Sequence, residues 1–304
     1  MYTIPFNFCR YNGKDTIYKV IPLHGKRKWI CGTRVPYGKT VEETFNQIFS
    51  QFADSDLLFD GCSDENKEFL KSNGFKSITF GKEAIIDLRL NEFQKKSLKE
   101  LIKRGKRHGS VVEIKYSENN EKKLQEFFIE TSHGREPRLQ NLFATAFKPY
   151  HRLFVLKKDE RWISAIMLSF KHEKFMQTEL ILRNSKAPVG VMEALINEIL
   201  IHLKNEGLEY WSLGAVPFID YNSRFLSLSW FFNFVGRKIK FAYNYKGLFN
   251  FKNKFNPIWQ PYYLCYKNRL NPIQIFQLSQ KSNLNKLITY NILTKLNLNY
   301  GKRL

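Results

Sequence analysis

Apolar residues first fall into a helical period behind Thr40-Val41-Glu42-Glu43, where Phe45, Ile48, Phe49 and Phe52 follow at three- and four-residue steps. Thr40 with Glu43 is a capping-box pair, so a helix is predicted to start there. Before it, residues 16–32 alternate as strands around a turn at Gly25-Lys26-Arg27. After it the pattern predicts a short strand (57–59), a helix (64–72), a strand near 76–80 and another over 83–90. A helix over 92–106 turns Phe93, Leu98, Leu101 and Ile102 inward. A second series then runs strand 111–116, helix 120–130, hairpin 152–157 with 162–170, strand 176–182, helix 189–206 and strand 210–213. Met192, Leu195, Ile196, Ile199 and Leu203 form the inner stripe of its long helix. The same order of elements recurs at a spacing of roughly 100 residues, which predicts two related α/β halves, 1–108 and 109–270. Residues 271–304 form a basic tail in which Leu284, Leu287, Ile288, Ile292 and Leu296 keep helical spacing. That spacing suits either a docked helix or an amphipathic helix lying on a membrane surface.

Charge changes the picture at the C-terminal end. The chain carries 49 Lys and Arg against 28 Asp and Glu, a formal charge of +21. From Tyr221 to Leu304, 84 residues contain 14 Lys and Arg and no acid. Such a stretch has no local counter-charges, so it is expected to meet a polyanion, either nucleic acid or anionic lipid. A hydrophobic fraction of 43% with 27 Phe excludes a disordered chain. Cys9, Cys31, Cys62 and Cys265 are scattered with no C-x-x-C pair, as expected of reduced, buried residues in a cytoplasmic protein. The most apolar stretch, 225–235, falls well short of the ~20 residues that span a bilayer.

Several familiar chemistries are absent from the pattern. Gly32 to Thr40 has the look of a phosphate loop, but its first glycine is displaced by one residue and Pro36 removes an amide donor. No G-x-S-x-G, H-E-x-x-H or paired metal-ligand spacing occurs, so no metal or cofactor is expected. His133 lies in a polar stretch that suits a surface loop better than a cleft. The turn Ser185 to Val191 holds one glycine and a proline, a poor match to the glycine-rich loop that binds acyl-CoA pyrophosphate at a helix N-terminus.

Four stretches, in order, resemble one family. They are Phe80 to Leu88, Ala187 to Met192, Ser212-Leu213-Gly214-Ala215-Val216-Pro217, and the block from Gly247-Leu248 through Phe251-Lys252-Asn253-Lys254-Phe255-Asn256-Pro257-Ile258-Trp259 to Pro261-Tyr262-Tyr263-Leu264. The sequence resembles the catalytic C-terminal domain of phosphatidylglycerol lysyltransferases and alanyltransferases. The resemblance implies two tandem GNAT-like folds. It further implies transfer of an amino acid from aminoacyl-tRNA, as co-substrate, to a lipid hydroxyl such as that of phosphatidylglycerol. The polytopic membrane region that usually precedes such a domain is not in this sequence, so either lipid would be reached from the cytoplasmic face of the membrane or the acceptor is not an ordinary membrane lipid.

The same resemblance assigns residues. Glu179 stands where family members carry an Asp that helps hold the aminoacyl group, while Arg183 sits one place later than the family's arginine. A one-residue slip on a strand turns a side chain to the other face. Gly214, Pro217, Phe255 and Trp259 are expected at the substrate. Lys252 is assigned to the developing oxyanion or the terminal phosphate, with Lys254 in support. In an extended segment those two lysines share a face, and Phe251, Phe255 and Trp259 pack the other. Asp220 is a weaker candidate for a base. Lys95, Lys99, Lys103 and Arg104, on the outer face of the 92–106 helix, are expected to grip tRNA phosphates. An acyl-CoA or peptidoglycan-type aminoacyl transferase, and a non-catalytic binder of RNA or anionic membrane, are the competing classes.

Overall fold

A computed structural model describes residues 4–90, 93, 95–217 and 244–300. The chain opens with β1 (Phe8–Tyr11), β2 (Ile17–Pro22) and β3 (Arg27–Pro36), then α1 (Val41–Gln51), β4 (Asp56–Cys62) and α2 (Asp64–Ser72). Thr40 caps α1 as its sequence predicts: its hydroxyl accepts from Glu43 N, and the Glu43 carboxylate accepts from Thr40 N at 2.7 Å. The stretch that mimics a phosphate loop is therefore the end of a strand followed by a capping box.

The expected strands 76–80 and 83–90 are one continuous strand, β5 (Phe75–Asp87). Gly81 does not break it because the strand is paired on both edges there, to Pro217 on one side and Tyr262 on the other. Then comes α3 (Lys96–Lys106), which starts later than the sequence suggests because Lys95 is extended and occupies the cap position. The second series is β6 (Ser110–Ile114), α4 (Glu118–Ile129), β7 (Arg152–Lys158), β8 (Arg161–His172), β9 (Phe175–Arg183), α5 (Val191–Asn205) and β10 (Tyr210–Pro217). After the undescribed residues follow α6 (Tyr245–Asn253), β11 (Ile258–Lys267), α7 (Pro272–Lys281) and α8 (Leu284–Tyr300).

All eleven described strands belong to one mixed sheet, ordered β1-β3-β4-β11-β5-β10-β9-β8-β7-β6, with β2 on β3. Two features tie distant parts of the chain into that sheet. β11, from late in the chain, inserts antiparallel between β4 and β5. A single bridge, Arg10 to Phe170, also ties β1 to β8, so the sheet meets itself. Polar side chains are enclosed near that closure, including Gln177, whose amide donates to Phe8 O at 2.8 Å.

Helices cover the sheet by their apolar stripes. Val41, Phe45 and Ile48 of α1 and Leu70 of α2 pack on Phe59 and Phe75. Leu98 and Ile102 of α3, with Val191, Leu195, Ile196 and Ile199 of α5, pack on Ile86, Leu168, Met176 and Trp211. α3 and α5 approach closely where glycines meet: a Cβ on Gly105 would lie 2.1 Å from Gly190 O. The tail docks. Ile275 of α7 is buried with Trp29, Leu58 and Leu264, and Leu287 of α8 is buried too. No helix among the described residues is long and apolar enough to cross a membrane. All four cysteines are buried and free.

Candidate functional site

The site forms where two neighbouring strands part. β9 and β10 run parallel but pair only from Tyr210 with Phe175 to Ser212 with Gln177. Thr178 closes the end of that ladder with its side chain, donating to Ser212 O at 2.8 Å and accepting from Trp211 Nε1 at 3.0 Å. Past this point β9 stays with β8 while β10 stays with β5, so their facing backbone edges lose each other as partners. β10 also bulges between Ser212 and Ala215, the added residue giving Gly214 a left-handed φ of +92°.

Lys252 fills the parting. It lies in the last turn of α6, 3% exposed, and its Nζ donates to Ala215 O at 3.0 Å. Burial lowers its pKa from the ordinary 10.5 to about 7, and the negative charge of Glu83 opposes that fall. Near neutral pH it is thus a poised amine. Gly214 makes room for it: a Cβ there would sit 3.2 Å from Lys252 Nζ on a backbone that side chains rarely adopt. Gly214→Ala is accordingly expected to destabilise the fold by about 1–2 kcal/mol and to depress turnover. Equilibrium urea unfolding and a transfer assay on the same sample check it, and wild-type behaviour in both would remove Gly214 from the site.

The condition under which Lys252 and Lys254 would share a face, an extended segment, is not met. Residues 245–253 are helical, started by Asn244, whose side chain accepts from Gly247 N at 2.8 Å. In a helical turn, neighbours two apart diverge, so Lys252 points inward while Lys254 reaches Glu193 Oε1 at 2.9 Å with its side chain 42% exposed. Phe255 is completely buried between Phe93 and Phe251, holding the turn rather than facing a ligand. Trp259 stacks on Phe249 at 4.6 Å and donates to Asn253 Oδ1 at 3.2 Å. Pro217 ends β10, half-buried.

Two groups the sequence reading passed over as site residues form a buried pair, one member of which acts on Lys252. Lys171 Nζ meets both oxygens of Glu83 at 3.0 Å, in a pair whose side chains are 2% and 7% exposed. Glu83 is in turn the charge that acts on Lys252. No local pattern marks Lys171. Glu83 was legible only as an acid at an inward position of an apolar strand.

Glu179 is buried and accepts three hydrogen bonds. Oε1 accepts from Ser169 Oγ at 2.5 Å and Gln177 Nε2 at 2.9 Å, and Oε2 from Ala144 N at 2.8 Å. Burial raises its pKa, against the pull of those bonds and of Lys171. In this state it anchors the loop before β7. Arg183 is exposed at the end of β9, and its side chain has no hydrogen bond or ion pair among the described residues. His133 is on a surface loop, 3.0 Å from Glu136. Asp220 lies outside the described residues. Lys99, Lys103 and Arg104 are exposed on α3, as is Lys95, whose Nζ donates to Asn253 O at 3.4 Å. Glu113, His202 and Glu206 bring ligand-type atoms within 4.8 Å on the surface, but Arg152 bridges both carboxylates, at 2.7 and 2.5 Å.

A mixed sheet with flanking helices, parted between two parallel strands, gives the chain its α/β class. Residues 32–266 match the family described as phosphatidylglycerol lysyltransferase, C-terminal, and the chain belongs to that family. A phosphatidylglycerol lysyltransferase of Bacillus subtilis (strain 168) is 23% identical over 259 residues, which is 81% of this chain and 30% of that protein. The chain therefore spans under a third of that relative's length. The structure of L-PGS from Bacillus licheniformis superposes with a TM-score of 0.66 at 19% identity, covering 91% of this chain and 85% of that one. The C-terminal domain of a putative lysylphosphatidylglycerol synthetase from Agrobacterium fabrum gives 0.62 at 21% identity, covering 84% and 81%. Both share the fold.

Proposed function

We propose that this chain moves an aminoacyl group from aminoacyl-tRNA to the hydroxyl of a phosphatidylglycerol-type lipid at a membrane surface. The observation that carries the reading is a buried lysine with a pKa of about 7, on the family's most patterned segment, at the parting of β9 and β10. An aminoacyl ester is already activated, so the task is to deprotonate the acceptor and stabilise the oxyanion. Neutral Lys252 accepts the proton of the attacking hydroxyl as the new C–O bond forms. The resulting ammonium faces the tetrahedral oxyanion. When the bond to the ribose oxygen breaks, Lys252 returns the proton to that leaving group. Gly214 and the Glu83–Lys171 pair set the position and charge of Lys252, while Lys254, Pro217 and Trp259 shape its turn. Glu179 acts as the anchor of the covering loop, and Arg183 remains available at the strand end for the aminoacyl group. Of the basic residues on α3, Lys95 and Arg104 are assigned to phosphates of the tRNA.

The test follows deacylation of a mixed pool of radiolabelled aminoacyl-tRNAs by the purified protein, with and without phosphatidylglycerol liposomes, and chromatographs the lipid fraction. Label in the lipid is the expected result and names the amino acid. Aminoacyl-tRNA that stays intact in all conditions would sink the proposal in favour of acyl-CoA chemistry or binding alone.

A further inference from the structure

A groove of about 510 Å³ runs along the surface between α3 and α5, away from the buried cluster. Its floor holds Ile102 and Leu200, and its rim holds Lys99, Lys103, Lys106 and Lys204. Lys106 pairs with Glu198 at 2.5 Å. The other three lysines have no carboxylate partner among the described residues. A rim with uncompensated positive charge selects an anionic ligand. The floor adds a second requirement. Ile201 also lines the groove and is 41% exposed, so apolar surface lies open to water directly among the lysines. A nucleic-acid backbone would satisfy the rim and leave that floor uncovered, whereas an amphiphile with an anionic head covers both.

One lining residue of the groove packs against the turn that carries Lys252. Phe93 lines it and contacts Phe255, ring centroids 5.4 Å apart, immediately past the Lys252 turn. Lys95 reaches the same turn at Asn253 O.

We infer that the α3–α5 groove docks the acceptor lipid, its phosphate among Lys99, Lys103 and Lys204 and the start of an acyl chain over Ile102, Leu200 and Ile201. This rests on the proposed aminoacyl transfer for its purpose, though not for its test. It separates Lys99 and Lys103 from the tRNA-binding role expected from sequence, and leaves that role to Lys95 and Arg104.

The test titrates the whole chain calorimetrically with dihexanoyl-phosphatidylglycerol below its micellar concentration, beside dihexanoyl-phosphatidylcholine and glycerol phosphate. The anionic lipid is expected to bind at least tenfold more tightly than either control. Ile201→Asp and Lys204→Glu, both at exposed positions, are each expected to weaken it about tenfold, with tRNA affinity by filter retention unchanged within about twofold. Unaltered thermal unfolding of the two variants controls for misfolding. Equal binding of glycerol phosphate would reduce the groove to a phosphate site and overturn the proposal. A parallel loss of tRNA affinity in both variants would assign the groove to RNA and overturn it as well. Lipid binding as expected, in a protein that transfers no amino acid, would uphold the groove and sink the proposed reaction instead.

Discussion

Lys252→Met is expected to abolish transfer while making the protein more stable at neutral pH. The amine supplies the base and the charge, so its removal should lower turnover by about 10²–10⁴-fold with little change in KM for tRNA. The stability gain follows from the pKa of about 7, depressed by burial from the ordinary 10.5. Between those two values the unfolded chain binds a proton that the native amine does not. Stability of the wild type therefore rises as pH increases from 7 to 10.5, and below pH 7 the full penalty of a buried ammonium is present. Methionine carries no such penalty but forfeits the bond to Ala215 O. A net gain of about 2–4 kcal/mol at pH 7 is expected, shrinking towards pH 10.5. Urea unfolding of both proteins at several pH values reads it. Lys252→Arg separates the roles of base and charge, because a guanidinium stays protonated. It is expected to be inactive and less stable, and the wild-type rate should climb with pH through about 7. Near-normal turnover in Lys252→Arg would show that positive charge alone suffices.

The second large effect belongs to the Glu83–Lys171 pair. Glu83→Gln takes from the buried Lys171 ammonium the carboxylate in contact with it, and Lys171→Met strands the carboxylate. Each single change is expected to cost about 3–5 kcal/mol, because breaking one side of a buried pair leaves the other charge unpaired. The double variant should recover most of that loss, giving a strongly favourable coupling between the two positions. Additive losses would mean that the two side chains act independently, contrary to their 3.0 Å contacts. Glu83 also raises the pKa of Lys252. In Glu83→Gln, the rise of activity with pH should therefore move to lower pH, a change that a purely structural role for Glu83 would not produce.

Periodicity and capping are local, and that is why so much of the fold could be read along the chain. The box at Thr40, the helix over 64–72 and the inner stripe of α5 depend on residues within a turn or two of each other. The alternation of lysine with aromatics near residue 252 misled for the same reason. A period of two suggests a strand, but the Asn244 cap and the packing of Phe251 and Phe255 wind the segment into a helix. β1, tucked beside β3, carries too few residues for a pattern to stand out.

By itself the sequence determined the α/β character, the excess of basic charge towards its end, and the segment on which Lys252 lies. Tertiary structure alone decided that burial lowers the pKa of this lysine to about 7. The shift needs burial, and burial follows from β11 entering the sheet beside β5 while β10 bulges at Gly214. It also decided that Glu83 and Lys171, 88 positions apart, share one enclosed space. Charge in water costs little wherever it falls along a chain. Only when strands from distant segments close around it does its neighbourhood set its protonation, and with that its chemistry.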